Sequence, residues 1–292
     1  MRYDVAIIGT GPAGLEARLT LKNRDKSILL IGSKKSSNKV YQAHEIKNYL
    51  GLPNIKGEDF ANAFLNHIDV MGIKITDDII SQIYDMGDYY ALQGKGSEVY
   101  EASSIIVATG VKASKTYEGE DNYLGRGVSY CATCDAPLYK NKDITVILES
   151  KDELEEVEFL ASVGKNLNLV PLFDDELHLA ENVRIIKEKP VRIEGDKKAN
   201  LLVTDKGSYS FDGLFILRKN VPASHLLMGL EMDDVHIKVN RLMETNLRGV
   251  FAAGDIVGKP YQYIKSAGEG NIAALSAVTY LANLKKEGKN NE

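Results

Sequence analysis

The chain begins with an apolar run, a glycine turn, a stretch of helical periodicity and a second apolar run. Residues 3–33 read YDVAIIGTGPAGLEARLTLKNRDKSILLIGS, and this order predicts a strand, a turn, a helix and a strand in one βαβ unit. Gly9, Gly11 and Gly14 have the G-x-G-x-x-G spacing of a dinucleotide-binding turn. A plain glycine turn is the alternative, and the position between a strand and a helix favours dinucleotide binding.

The end of the second strand departs from this pattern. An acidic residue that binds a ribose hydroxyl is often expected there, whereas this chain has Gly32 and Ser33. The change weakens a ribose contact and leaves the pyrophosphate site in place.

Shorter apolar runs, divided by glycine and aspartate, continue as far as residue 110. A helix is predicted near residues 58–71, and alternating runs such as GDYYALQG and SEVYEASSIIVATG predict an inserted antiparallel sheet that leads back to the main sheet. The last run ends in Ala108, Thr109 and Gly110, where the backbone can approach a ligand closely.

A similar strand and helix follow near the end of the chain. Residues 247–284 read LRGVFAAGDIVGKPYQYIKSAGEGNIAALSAVTYLANL, which predicts a buried strand, a GD turn and a long helix. We interpret this segment as the other half of the first domain. A C-terminal unit that only packs against the core is the alternative.

Residues 146–160, VILESKDELEEVEFL, have the outline of a second nucleotide-binding turn. A β-branched run, a tight polar turn and an amphipathic helix follow one another, but the segment contains no glycine. Glycines let the backbone approach a pyrophosphate at the helix N-terminus. The segment therefore keeps the strand-turn-helix order of a nucleotide-binding unit but lacks the glycines that let the backbone approach the ligand.

Composition and charge exclude several classes of function. The chain has 292 residues and a formal net charge of −5, which favours two domains and provides no basic surface for nucleic acid or an anionic membrane. The N-terminal residues lead straight into a strand, and no window reaches the length of apolar sequence that spans a membrane. We expect a cytoplasmic protein with no nucleic-acid or membrane partner.

The only two cysteines, Cys131 and Cys134, form a C-x-x-C motif within GRGVSYCATCDAPLYKNK. Such a pair can form a disulfide, supply half of a metal site or remain inert. A zinc site needs further soft or imidazole ligands, and the chain has no other cysteine and five scattered histidines. Redox use is therefore favoured and no metal is expected. Asp135 is positioned in sequence to carry a proton, and a helix beginning at the pair would lower the pKa of one thiol.

These motifs together resemble the low-molecular-weight, flavin-dependent thioredoxin reductases. The resemblance runs nearly end to end, through IIGTGPAGLEA, NYLG, VATG, GRGVSYCATCD, GVFAAGDIVG and SAGEGNIAAL. It implies an α/β fold with two Rossmann-like (three-layer ββα) nucleotide-binding-type domains of the disulfide oxidoreductase flavoprotein kind, the second inserted in the first. Residues 1–114 and 246–292 would form a discontinuous FAD-binding domain, and residues 115–245 the CxxC-bearing domain with a degenerate NAD(P)-binding-like fold.

The resemblance also implies the residues that bind the cofactor, FAD. They are Gly9, Gly11, Pro12, Ala13, Gly14, Gly32, Ser33, Asn48, Ala108, Thr109, Gly110, Gly254, Asp255, Gln262 and Tyr263. The arginine that the family usually has just before the glutamine is absent. In the family the second cysteine faces the flavin and the first attacks thioredoxin, which implies that Cys134 faces FAD, Cys131 reaches the partner and Asp135 is the acid. A homodimer is implied as well.

The nicotinamide site of the NADPH-dependent members is missing from the second domain. Those members carry a GGGxxA turn, and alignment on a shared EE pair places Leu148, Glu149 and Ser150 at its three glycines. The pyrophosphate would meet side chains there, one of them anionic. We expect NADPH to bind weakly or not at all.

Two further segments agree with this interpretation. The arginine pair that binds the 2′-phosphate falls at Leu172 and Phe173, followed by Asp174 and Asp175, so charge-assisted contacts are replaced by apolar groups and like charge. The segment expected to carry a closing glycine reads LFILRKNVP. Three independent losses indicate an abandoned site, and a site rebuilt for NADH by other contacts is the alternative.

A different electron donor is therefore required. The ferredoxin-dependent flavin thioredoxin reductases are similar in keeping CxxC while lacking the nicotinamide motifs. The resemblance implies that electrons pass from ferredoxin through FAD and the Cys131–Cys134 pair to thioredoxin. The alternatives are a diflavin or NAD(P)H-dependent reductase of similar kind, and a non-catalytic flavin-binding module that senses redox state.

Docking of an acidic ferredoxin would use a local basic patch on a chain that is acidic overall. Candidate residues are Lys34, Lys35, Lys112 and Lys115, and a solvated surface without a partner is the alternative for them. If they do form the patch, the rate of electron transfer should fall as salt screens the encounter.

Overall fold

The computed structural model describes residues 1–33, 38–41, 43–96, 98–111, 117–218 and 223–290. The chain divides into two compact units. The first unit consists of Met1–Gly94, Glu98–Ala113 and Pro222–Glu292, and the second of Lys95–Ser97 and Ser114–Val221. In the described part of the chain, no helix is both long enough and apolar enough to cross a membrane.

The strands, numbered along the chain, fall into three groups. Residues 1–111 contain β1 (Arg2–Tyr3), β2 (Val5–Ile8), β3 (Ile28–Ile31), β4 (Ile80–Asp85), β5 (Tyr90–Gly94), β6 (Val99–Ala102) and β7 (Ile105–Val107). Residues 117–218 contain β8 (Val128–Ser129), β9 (Asp143–Leu148), β10 (Asn166–Pro171), β11 (Val183–Ile185), β12 (Pro190–Gly195), β13 (Ala199–Thr204), β14 (Ser208–Ser210) and β15 (Gly213–Leu217). Residues 223–290 contain β16 (Met232–Asp233), β17 (His236–Ile237) and β18 (Val250–Ala252).

The α-helices are numbered in the same way. They are α1 (Pro12–Lys22), α2 (Asn38–Tyr41), α3 (Gly57–Val70), α4 (Glu120–Tyr123), α5 (Ala132–Asp135), α6 (Leu154–Val163), α7 (Ala223–Leu226) and α8 (Tyr263–Asn290). Short 3-10 helices cover Ala136–Tyr139, Lys151–Glu153 and Asp255–Val257.

A parallel sheet in the order β18-β7-β2-β3 forms the centre of the first unit. Strand β2 is buried along its whole length because alternate side chains enter two different cores. Val5 and Ile7 pack in one hydrophobic cluster, whereas Ala6 and Ile8 pack in another. A strand buried on both faces reads as the continuous apolar run seen in the sequence.

The predicted antiparallel sheet is present in the same unit. Strands β4, β5 and β6 pair antiparallel, and β1 adds to the edge parallel to β6. Tyr90 and Leu92 of β5 face the core while their neighbours are half-buried, which is the alternation that the run GDYYALQG predicts.

The second unit ends earlier than the sequence predicts. The sequence predicts that residues 223–245 belong to the inserted domain, but in the structure they belong to the first unit. The physical reason is burial: Leu226, Leu227 and Ile237 belong to the same hydrophobic cluster as Ile83 of β4. These short elements carry no periodic pattern long enough to indicate in advance which core they join.

The second unit contains a parallel sheet in the order β11-β10-β9-β15-β8. From β9 the chain continues to β10 and β11 on one side, and it returns to β15 on the other side. The strand order therefore reverses between β9 and β15, and in open α/β sheets ligands bind at the carboxyl ends of the strands at such a point. An antiparallel sheet of β12, β13 and β14 lies in the same unit.

Candidate functional site

The glycine turn after β2 has the geometry of a dinucleotide-binding turn. Gly9 has φ of +119°, and a Cβ at this position would lie 2.2 Å from the carbonyl oxygen of Ala108. Only glycine fits such a conformation and such a close approach. The turn at residue 9 and the predicted ligand segment that begins at Ala108 are therefore in direct contact.

The next glycine leaves room at the start of α1. Gly11 is the N-cap residue and Pro12 occupies the first position of the helix. A Cβ at Gly11 would meet no atom within 4 Å, so the N-terminus of this helix opens onto free space. Exposed N–H groups at a helix N-terminus bind phosphate, and the turn fits the pyrophosphate of FAD.

Two other predicted segments lie beside this turn. The hydroxyl of Thr10 donates to the carbonyl oxygen of Ser33 at 2.8 Å, which holds the end of β3 next to the glycines. Gly254, after β18, has φ of +90°, and a Cβ there would lie 3.0 Å from the Cβ of Ala13. The carboxyl ends of β2, β3, β7 and β18 thus bring together the predicted glycines, Ser33 and the GD turn.

The GD turn is held by two residues that the sequence analysis did not identify. Lys265 of α8 donates from Nζ to the carbonyl oxygens of Gly254 at 3.1 Å and Gly258 at 2.6 Å. Glu269 accepts from the backbone N–H of Gly254 at 3.0 Å and pairs with Lys265 at 3.1 Å. The sequence signal that could have identified Lys265 and Glu269 is their opposite charge at i and i+4 in the helix that follows the GD turn.

Asp255, the predicted ribityl ligand, is contacted by a side chain of α8. Its Oδ1 accepts from the hydroxyl of Ser266 at 3.3 Å. This contact orients the carboxylate, whose oxygens can accept from a ligand hydroxyl.

The remaining predicted residues also lie in the first unit. Asn48 donates from Nδ2 to Oε1 of Gln262 at 2.5 Å, although the two residues are far apart in sequence. Tyr263 packs on Phe60 with 5.4 Å between ring centroids, and burial raises the pKa of the Tyr263 hydroxyl. Thr109 remains exposed, and Gly110 has a positive φ of +69°.

In the second unit, Cys131 directly precedes α5. Cys131 is disulfide-bonded, and Cys134 is the only other cysteine in the chain. The backbone N–H of Cys131 donates to Oγ of Ser129 at 3.1 Å, at the end of β8. Helix α5 has only four residues, so few peptide dipoles are aligned at the cysteine pair.

The turn after β9 differs from the sequence prediction in where its side chains lie. Leu148 is fully buried in the hydrophobic core of the second unit, so its side chain would not meet a pyrophosphate. Ser150 caps the 3-10 helix that follows, accepting from the N–H of Asp152 at 3.4 Å. The turn is therefore occupied by Glu149 and Ser150.

Glu149 is not a free charge. Its Oε1 lies 3.0 Å from Nη2 of Arg218 and accepts from the hydroxyl of Tyr117 at 3.2 Å. Arg218 also pairs with Glu120 at 3.1 Å, and both of these side chains are buried. The sequence indicates an anionic side chain in this turn, and the structure adds that the carboxylate has a cationic partner.

Arg218 and Glu120 are the second pair that the sequence analysis missed. Arg218 stands at the end of the apolar run GLFIL of β15, and a cation at the end of a buried strand needs a partner. Sequence alone does not indicate which carboxylate supplies it.

The segment where NADPH-dependent members carry the arginines for the 2′-phosphate has different side chains and contacts here. Leu172 is exposed, Lys151 lies over the ring of Phe173 at 5.8 Å, and Lys151 pairs with Asp175 at 2.6 Å. The lysine is therefore already neutralised by a carboxylate of the same unit.

Two expectations concern other parts of the surface and of the chain. The proposed docking lysines 34, 35, 112 and 115 lie outside the described residues. Within the described ranges, no group of three or more His, Cys, Asp or Glu side chains could hold a metal ion.

Comparisons with known proteins identify relatives along nearly the whole chain. The family model for pyridine nucleotide-disulphide oxidoreductases matches residues 3–151 and 173–270. A thioredoxin reductase from Listeria monocytogenes is 33% identical over 305 residues, covering 97% of this chain and 95% of the relative. A ferredoxin-flavin thioredoxin reductase structure from Clostridium acetobutylicum is 46% identical with a TM-score of 0.85, covering 97% of this chain and 99% of the other.

The fold and the glycine turn define a nucleotide-binding flavoprotein, and the chain also carries a C-x-x-C cysteine pair. The chain belongs to the pyridine nucleotide-disulphide oxidoreductase family. Membership confirms the predicted fold class, the predicted enzyme class of flavin-dependent disulfide reductase, and FAD as the cofactor. A second structure of a ferredoxin-flavin thioredoxin reductase from the same clostridium is 44% identical with a TM-score of 0.82, covering 98% of this chain and 99% of the other.

Proposed function

We propose that this protein passes electrons from reduced ferredoxin through FAD and the Cys131–Cys134 pair to thioredoxin. The observation that carries the proposal is in the second unit. At the switch between β9 and β15, a buried arginine is paired with Glu149 and Glu120, whereas the cysteine motif is retained. The similarity to proteins whose names specify ferredoxin and flavin supports the same donor.

We assign FAD binding to the first unit and the cysteine relay to the second. The helix N-terminus at Gly11 and Pro12 binds the pyrophosphate, and Asp255 binds a ribityl hydroxyl. FAD, when bound, exchanges electrons singly or in pairs and so links a one-electron donor to a two-electron disulfide. The remaining predicted ligands complete the site: Gly9, Ala13, Gly14, Gly32, Ser33, Asn48, Ala108, Thr109, Gly110, Gly254, Gln262 and Tyr263.

The cysteines divide the reduction of thioredoxin into two exchanges. In the reduced protein, the Cys131 thiolate attacks one sulfur of the thioredoxin disulfide, forms a mixed disulfide and releases the other sulfur as a thiolate. Cys134 then attacks Cys131, which restores the Cys131–Cys134 disulfide and releases reduced thioredoxin. Asp135 supplies a proton to a departing thiolate.

We further propose that the protein works as a homodimer in the cytoplasm, as the family resemblance implies. A reductase of disulfides is suited to a compartment in which thiols stay reduced. Size-exclusion chromatography with light scattering tests the dimer directly.

The donor is tested by anaerobic mixing. Oxidised protein is mixed separately with excess NADPH, NADH and chemically reduced ferredoxin, and flavin absorbance is followed. Of the three donors, we expect only reduced ferredoxin to bleach the flavin absorbance. Thioredoxin added afterwards should then be reduced. Rapid bleaching by NADPH or NADH would contradict the ferredoxin proposal and support an ordinary pyridine-nucleotide-dependent reductase. Two flavins per chain would support the diflavin alternative. Bleaching without thioredoxin turnover would support a redox-sensing module.

A further inference from the structure

The reversal point of the second unit's parallel sheet carries an ion cluster. Glu149 directly follows β9 and Arg218 directly follows β15, and these neighbouring strands pair with Leu148 opposite Leu217. The two charged residues therefore stand side by side at the carboxyl edge of the sheet. This edge is where an open α/β sheet binds its ligand.

Arg218 pairs with two carboxylates, one of them fully buried and the other partly exposed. Its guanidinium binds Glu120 through two nitrogens, with Nη1 at 3.1 Å from Oε1 and Nη2 at 3.3 Å from Oε2. The side chains of Arg218 and Glu120 are 2% and 0% exposed, whereas that of Glu149 is 21% exposed. Glu149, the more exposed of the two carboxylates, also pairs with Nη2, at 3.0 Å.

A hydroxyl completes the contacts of Glu149. Tyr117 donates to Oε1 at 3.2 Å, and burial raises the pKa of Tyr117, so that the hydroxyl stays a donor. The Arg218 guanidinium also lies over the Tyr117 ring, 5.9 Å from its centroid, and over the Tyr130 ring, 5.3 Å from its centroid. Two donors thus reach the Glu149 carboxylate, and two aromatic rings lie beside the guanidinium that supplies one of them.

We propose that Arg218 and Tyr117 form an anion-binding site and that Glu149 of the same chain is its permanent ligand. We call these two residues the anion site. The site takes a carboxylate or another small oxyanion, and its internal occupant keeps the phosphates of a dinucleotide out. The inference deepens the proposed function, because it gives a physical cause for the absence of a nicotinamide donor.

The test is chemical rescue by formate. Glu149→Ala empties the anion site without removing either donor, and formate restores the missing carboxylate. Thermal or urea unfolding is measured with increasing sodium formate against sodium chloride at equal ionic strength. At formate ten times its Kd, the unfolding equilibrium of Glu149→Ala should shift about elevenfold towards the folded state, whereas the wild type should not respond beyond the chloride control.

Two variants locate the effect. Asp212→Ala removes a half-buried carboxylate of the same unit that accepts from the backbone N–H of Asp143 at 3.0 Å, and formate should not rescue it. Tyr117→Phe is added to Glu149→Ala. Compared with Glu149→Ala alone, the double variant lacks only the hydroxyl of the anion site. The formate Kd should then rise about threefold to tenfold, the usual effect of one lost hydrogen bond.

The proposal is overturned if formate fails to stabilise Glu149→Ala, or if it stabilises wild type and Asp212→Ala equally. An unchanged formate Kd on loss of the Tyr117 hydroxyl would also contradict the assigned site. No electron donor or thioredoxin enters these measurements. A failed rescue is therefore distinguishable from a failure of the ferredoxin proposal, which is decided by flavin bleaching.

Discussion

Arg218 and Glu149, which the sequence places on separate segments, are joined by a 3.0 Å ion pair between adjacent strand ends. The contact changes how the missing glycines are interpreted. The turn has lost the glycines that admit a pyrophosphate, and the chain has also placed its own anion beside the cation. A buried guanidinium without a partner would be costly, and the buried Glu120 is the partner on which the stability of this unit depends most.

The glycine turn of the first unit yields a contrast between two variants. Gly11→Ala should leave the stability of the apoprotein within about 0.5 kcal/mol, because its Cβ would meet no atom within 4 Å. Its affinity for FAD should fall about tenfold or more, since the methyl group intrudes where a phosphate hydrogen bond forms. Fluorescence titration of apoprotein with FAD measures this change.

Gly9→Ala is the matched comparison. Its Cβ would lie 2.2 Å from a backbone oxygen at a φ of +119°, so the apoprotein itself should lose stability, by about 1–3 kcal/mol for the strained backbone alone. Equal stability of the two apoproteins would contradict the close approach at Ala108.

The cysteine relay predicts separate effects on cofactor and turnover. Cys131→Ser and Cys134→Ser should each abolish thioredoxin reduction, because a single thiol cannot complete the two exchanges. Both variants should stay yellow, since no predicted FAD ligand has changed. Retained thioredoxin turnover in either variant would exclude the relay, and loss of the yellow colour would show that the substitution had disturbed the fold.

The bracing of the GD turn predicts a positioning role for Lys265. Lys265→Met removes two hydrogen bonds to the carbonyl oxygens of Gly254 and Gly258. The affinity for FAD should fall about threefold to tenfold, because the turn carrying Asp255 is less well fixed. Lys285→Met, an exposed lysine on the same helix, is the control and should bind FAD as the wild type does. Equal FAD affinities of Lys265→Met and the wild type would contradict the positioning role of Lys265.

The stability of the protein should depend on the ionisation of Glu149. Burial raises the pKa of this carboxyl above its usual 4.5, although Arg218 and the Tyr117 hydroxyl oppose the shift. A carboxyl whose folded-state pKa is raised stabilises the fold at low pH, and that contribution is lost as pH rises through the folded-state pKa.

Glu149→Gln lacks this titration and provides the reference. The unfolding free energy of wild type relative to Glu149→Gln should therefore decline as pH rises from about 4 into the range above 4.5. The charged groups that face Glu149 are Arg218 and Glu120, and both are retained in the variant. Urea unfolding of the two proteins from pH 4 to 7 measures the difference, and a difference that grows with pH would show that Arg218 outweighs burial.

The sequence by itself determined the elements with regular patterns. The continuous apolar runs of β2 and β3 and the glycine spacing after β2 predicted the βαβ unit, because both depend on local geometry. The CxxC motif and the GD turn were also local signals, and together they were specific enough to indicate the family. The loss of glycine after β9 was visible in the same way.

Tertiary structure alone decided the contacts between distant segments. The membership of residues 223–245 in the first unit depends on which core buries Leu226 and Leu227. The pairing of Arg218 with Glu149 and Glu120 depends on β9 and β15 being neighbours. Strand order and burial are set by packing of the whole chain, so no pattern within a short segment specifies them, and a charge that reads as exposed in sequence becomes a buried partner in the fold.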